Sequence, residues 1–121
     1  SNGIYVNRDF TTVAGNMCSI CSSGVYISSS ADRNTVTGND CCYNLYGIQI
    51  RGDHNTVTGN NCSNNTNHGI YGNQSDQCSI SGNTCNFNGS NGIYMNSSFR
   101  CSISANSINE NDNDGIDFRR M

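Results

Sequence analysis

The 121-residue sequence has no proline, no tryptophan and no lysine. All six basic residues are arginines, set against nine acids, and the formal net charge is −3. That sign argues against a nucleic-acid surface. Long apolar runs are missing as well. Only 34% of the residues are hydrophobic, too few for an ordinary two-layer globule, and no run approaches a membrane span. A solenoid tolerates such a composition, because each turn needs only a few inward side chains and its neighbours complete the core. The sequence opens with neither a secretory leader nor an initiator methionine and is read as a mature, trimmed or excised piece.

What the chain does have is a repeat. Gly3, Gly24, Gly47, Gly69, Gly92 and Gly115 each open a copy, 21 to 23 residues apart. A fixed period in this range signals stacked turns. After each Gly comes an apolar residue (Ile4, Val25, Ile48, Ile70, Ile93, Ile116), and two residues on another inward position (Val6, Ile27, Ile50, Gly72, Met95, Phe118). Period-2 alternation makes this a short strand whose middle position, Tyr5, Tyr26, Gln49, Tyr71, Tyr94 and Asp117, faces out. A second strand follows with Val13, Val36, Val57, Ile80 and Ile103 inward, flanked by outward Thr and Ser. Gly15, Gly38, Gly59, Gly82 and Ala105 come next and are placed inside. Asn16, Asn39, Asn60, Asn83 and Asn106 follow and form an expected asparagine ladder. Asn tolerates a left-handed bend and can hydrogen-bond an identical neighbour above and below. Two residues later, Cys18, Cys41, Cys62, Cys85 and Ile108 make another inward column, and Cys21, Asn44, Asn65, Asn88 and Asn111 form a second polar one.

Three short parallel strands per turn, roughly five turns spaced about 4.8 Å apart, and the crossover rule together predict an all-β, right-handed, single-stranded parallel β-helix over residues 1–121. It is read as one domain and as a fragment of a longer solenoid. The N-T-V-T-G-N and G-I-Y motifs resemble the PbH1-type repeats of the right-handed parallel β-helix family. Phage tailspike and appendage proteins, polysaccharide lyases and periplasmic β-helix proteins of copper-site maturation share that repeat, and many activities share the scaffold.

Each candidate site has a structural reading beside a functional one. Asp9, Asp32, Asp53 and Asp76 recur at one turn position. The structural reading has each bonding within its own turn. The alternatives are that Asp32, Asp53 and Asp76 hold Ca²⁺, or that they share a proton and act on a sugar polymer with Arg33 and His54. The resemblance implies the latter in its lyase members, which often use Ca²⁺ and a basic residue. The Tyr5, Tyr26, Tyr71 and Tyr94 column stacks either on itself or on sugar rings. The thiols of Cys18, Cys41, Cys62 and Cys85 are read as small buried hydrophobes, since stacked turns make their Cβ vectors parallel and disfavour bridging. Cys78 and Cys101 follow the same logic, and disulfide state is left open.

The adopted reading is a non-catalytic scaffold or glycan-binding module with no cofactor. Its setting is extracellular, on a cell surface or virion. The expected partners are glycans, adjoining β-helix turns or the other chains of a homotrimer. A lyase or hydrolase core, and a copper-site maturation protein, stand as alternatives.

Overall fold

The computed structural model describes residues 1–120. The chain runs β1 (Asn2–Val6), β2 (Thr12–Ala14), β3 (Ser23–Ile27), β4 (Thr35–Thr37), β5 (Tyr46–Ile50), β6 (Thr56–Thr58), β7 (Ile70–Asn73), β8 (Ser79–Ser81), β9 (Ile93–Asn96), β10 (Ser102–Ser104) and β11 (Ile116–Arg119). Odd-numbered strands stack in parallel into a six-stranded sheet and even-numbered ones into a five-stranded sheet. The register is that of the repeat: Ile4 pairs with Val25, Val25 with Ile48, and Val36 with Val57. The result is the expected parallel β-solenoid. Its third side differs from expectation. It is not a run of strands but a single-residue bridge per turn, through Met17, Asp40, Asn61, Thr84 and Ser107. Only one outward residue fits there between the inward Asn and the inward Cys, too few for a strand.

The core is narrow and apolar. Ile48, Ile50, Val57 and Cys62 are fully buried, as are Val25, Ile27, Val36, Ile70, Ile80 and Ile93. Where Gly72 vacates an inward position, Met95 of the next turn fills the space; a Cβ on Gly72 would strike its Sδ and Cε. A flexible thioether suits such a gap.

The corners explain the repeat. In each turn three residues spaced five apart take left-handed backbone. The first column is Phe10, Arg33, His54, Gln77 and Arg100; the second is Gly15, Gly38, Gly59, Gly82 and Ala105; the third is Ile20, Tyr43, Asn64, Phe87 and Glu110. The second column corrects the sequence reading twice. The left-handed residue is the Gly, not the Asn after it, and the Gly is exposed rather than inside. The Asn is freed to turn inward.

Each corner is followed by an inward polar residue, so there are three ladders. In the one expected, Asn39 Oδ1 accepts from the Asn16 amide at 2.9 Å and Asn60 Oδ1 from the Asn39 amide at 2.9 Å. Asn83 and Asn106 continue it at 2.9 and 2.8 Å. The buried Nδ2 atoms of this ladder are satisfied too: Asn60 Nδ2 donates to Val36 O at 2.9 Å and to Asn83 Oδ1 at 3.0 Å. A second ladder runs through Asn44, Asn65, Asn88 and Asn111. The third starts with Asn34 and Asn55 and then changes to thiols, Cys78 and Cys101, whose Sγ atoms donate to Gly52 O and Ser75 O at 3.6 and 3.1 Å. Cys78, Cys101 and Cys21 therefore stand where other turns carry Asn. A typical net bond contributes about 1 kcal/mol, but a buried amide left unpaired costs about 1–3 kcal/mol, so the ladders act mainly against misregister.

Candidate functional site

Repetition places three chemically distinct sets of side chains on the coil: carboxylates, rings and thiols. The Asp column lies between the two sheets. Its carboxylates do not bond within their own turns, as the structural reading had it. Asp9 Oδ1 accepts the Asp32 amide at 2.8 Å, Asp32 Oδ1 the Asp53 amide at 2.8 Å, and Asp53 Oδ1 the Asp76 amide at 2.9 Å. Asp76 Oδ1 closes the series on the Phe99 amide at 2.9 Å. Each carboxylate thus pins the next turn. Arg33 and His54, one residue further on, occupy exposed left-handed corners. Among the described residues the one salt bridge joins Arg119 to Asp117 at 3.0 Å, away from this column.

The tyrosine column faces out on the six-stranded sheet, as expected. Tyr5 stacks on Tyr26 with centroids 5.6 Å apart, and Tyr71 on Tyr94 at 5.4 Å, almost parallel at 4°. Gln49 interrupts the column, yet the ring surface continues beside it. Tyr46 stacks on Tyr71 at 5.3 Å, and His68 packs against Tyr46, Tyr71 and Tyr94 at 5.9, 5.4 and 4.9 Å. Four rings thus form one continuous patch. The sequence reading left Tyr46 and His68 out of the ring column. The signal was available, since each directly precedes a repeat Gly, at one column position. The His68 imidazole sits below its ordinary pKa because burial disfavours its charge, with Asp117 opposing. Its Nδ1 accepts the Asn91 amide at 3.2 Å, which fixes the neutral form with the proton on Nε2. Burial raises the Tyr71 hydroxyl, while the nearby Arg51 guanidinium acts the other way. Arg51 Nε is a buried donor with no protein partner. Arg119 closes the far end with its guanidinium 5.6 Å from the Tyr94 ring centroid.

The thiol columns are inside. All eight cysteines are free. Burial pushes Cys62 well up, helped by hydrogen bonds with the Cys41 and Cys85 thiols. Burial and Asp40 push Cys42 up to about 12. In the Cys78–Cys101 pair the shared hydrogen bond lowers Cys101 to about 7 and raises Cys78.

Fold and columns together define a parallel β-helix of stacked PbH1-type turns. The family described as periplasmic copper-binding protein (NosD) matches residues 1–120, and the chain belongs to that family. Neither the curated proteins nor the solved structures provide a match.

The family description raises copper, and the donor set can be tested against it. Copper takes thiolate, thioether and imidazole ligands that converge on one point. Among the described residues no three His, Cys, Asp or Glu side chains do so. His54 is exposed at a corner, His68 is committed to the Asn91 amide, and the Cys18–Cys85 column lies in the apolar core. The described side chains do not compose a copper centre.

Proposed function

We propose that this chain is a glycan-binding solenoid module acting outside the cytoplasm, with the outer face of the six-stranded sheet as its binding surface. The observation that carries this reading is the continuous patch of Tyr46, His68, Tyr71 and Tyr94. Rings stacked on one another turn their edges outward, and those edges give the C–H faces of sugars a continuous apolar ribbon. Planar polar groups border them: the Arg51 guanidinium near Tyr71, and Asn73 and Asn96 further along. Such an arrangement supplies stacking for affinity and amide or guanidinium donors for hydroxyl recognition. A rigid β-helix also spaces the rings regularly along an extended polymer. The family's description as periplasmic supports the location.

The Asp column supports a scaffold role rather than catalysis, because each carboxylate already holds the adjacent turn. The experiment is affinity electrophoresis of the full chain through a panel of neutral and acidic polysaccharides. Retardation by at least one of them is expected. Tyr71→Ala should weaken it about tenfold, on the scale of one lost aromatic contact. Retardation by none of them, or retardation that Tyr71→Ala leaves unchanged, would remove the reading.

A further inference from the structure

The third left-handed corner column lies on a different side of the coil from the ring patch. It runs Ile20, Tyr43, Asn64, Phe87 and Glu110. Left-handed backbone admits Asn readily and resists bulky side chains. Only Asn64 obeys that preference. Tyr43 and Phe87 do not, and burial does not compensate them, since they are 66% and 56% exposed. Phe10 and Ile20 share that conformation and exposure, so what sets Tyr43 and Phe87 apart is the acidic depression they line.

Tyr43, Asn64 and Phe87 line an open depression of about 380 Å³. Gly89 belongs to its lining, where a Cβ would strike the Thr66 carbonyl of the adjacent turn. Glu110 and Asp112 line the far edge, and no basic side chain is among the lining residues. Two turns separate Tyr43 from Phe87, about 9.6 Å at the parallel spacing. An ammonium group seated against either ring lies within the roughly 6 Å range of a cation–π contact. A neutral ring would gain nothing from the two carboxylates, whereas a cation gains from carboxylates and rings together.

We propose that this depression binds an organic ammonium group, either a quaternary choline-type head or the protonated amine of an aminosugar. The proposal does not depend on the ring patch of the six-stranded sheet, because neither Tyr43 nor Phe87 belongs to it.

The test is a titration of the full chain followed at the Tyr43 and Phe87 ring resonances by NMR. The probes are choline and its uncharged carbon isostere 3,3-dimethyl-1-butanol, then glucosamine and N-acetylglucosamine, all at constant ionic strength. Choline or glucosamine should shift both rings, with each neutral counterpart at least about tenfold weaker, the scale of a desolvated cation–π contact. The more effective of the two cations identifies the source. Phe87→Asn, which suits the left-handed corner and should keep the fold by circular dichroism, should abolish the response. Glu110→Gln with Asp112→Asn should weaken it several-fold. Neutral probes binding as well as charged ones would overturn the proposal, as would silence of both rings toward every ammonium probe or a response that survives Phe87→Asn.

Discussion

The asparagine ladder and the aspartate column make the same hydrogen bond in opposite directions. In the first, an Oδ1 accepts the amide of the preceding turn; in the second, an Oδ1 accepts the amide of the following one. Lengths are alike, 2.8 to 2.9 Å for Asn39–Asn60 and Asp32–Asp53. The environments are not alike. Asn60 is 2% exposed, whereas Asp53 is half-buried. A carboxamide can also donate, so Asn60 satisfies buried carbonyls as well. A carboxylate only accepts and keeps its charge only near water. Two residue types of almost equal shape therefore divide the coil, one for its interior and one for its rim.

This comparison can be broken most forcefully from the inside. Asn60→Ala removes an acceptor for Asn39 and the donor to Val36 O, and should cost about 2–4 kcal/mol in urea unfolding. Asn83→Ala should behave alike. Asn73→Ala, which loses one exposed-side bond of 3.3 Å with Asn96, should cost less than about 1 kcal/mol. Equal losses at all three would mean that the interior ladder holds nothing special.

The thiol-for-Asn exchange sharpens the same point. Cys101 is half-buried and its hydrogen bond with Cys78 lowers its thiol to about 7, whereas burial raises Cys62 well above the ordinary thiol value. Iodoacetamide at pH 7.5 should therefore label Cys101 first, at least about tenfold faster than any core thiol, as read by mass spectrometry. Uniform labelling would contradict the pairing of Cys78 with Cys101.

A smaller effect concerns pH. The folded state holds His68 neutral, so the unfolded chain takes up a proton more readily. Stability should then decline as pH falls below about 6.5, the unfolded value, and level off below the lower folded value. His68 is partly exposed, so the melting temperature should drop by only about 2 °C, and His68→Gln should remove the drop. The smallest change is expected from Asp53→Asn. It keeps the acceptor for the Asp76 amide on the wet side of the column and should shift stability by less than about 0.5 kcal/mol.

Much of this was legible in the sequence, for a physical reason. Stacked turns force identical positions into identical environments, so Ile48, Val57 and Cys62 announce themselves by column. The corners were not legible. Gly38 and Asn39 both tolerate left-handed backbone, and nothing local decides between them; the need to aim the Asn amide inward does. Phe10, Ile20 and Tyr43 have side chains that argue against left-handed backbone, and stacking between turns overrides that preference. For the site, the outward Tyr column could be read from period-2 alternation. The addition of Tyr46 and His68 required following the residue before each repeat Gly as a column of its own.

The central claim is that the rings bind glycan while the aspartates hold the coil together. The most direct measurement compares two variants of the full chain on whichever polysaccharide retards it. One carries Tyr71→Ala and Tyr94→Ala, the other Asp32→Asn, Asp53→Asn and Asp76→Asn. The expected result is loss of binding in the first and unchanged binding in the second, with no soluble product released by either. Binding that persists without the tyrosines but disappears with the aspartates, or product release that only the aspartate variant abolishes, would contradict it.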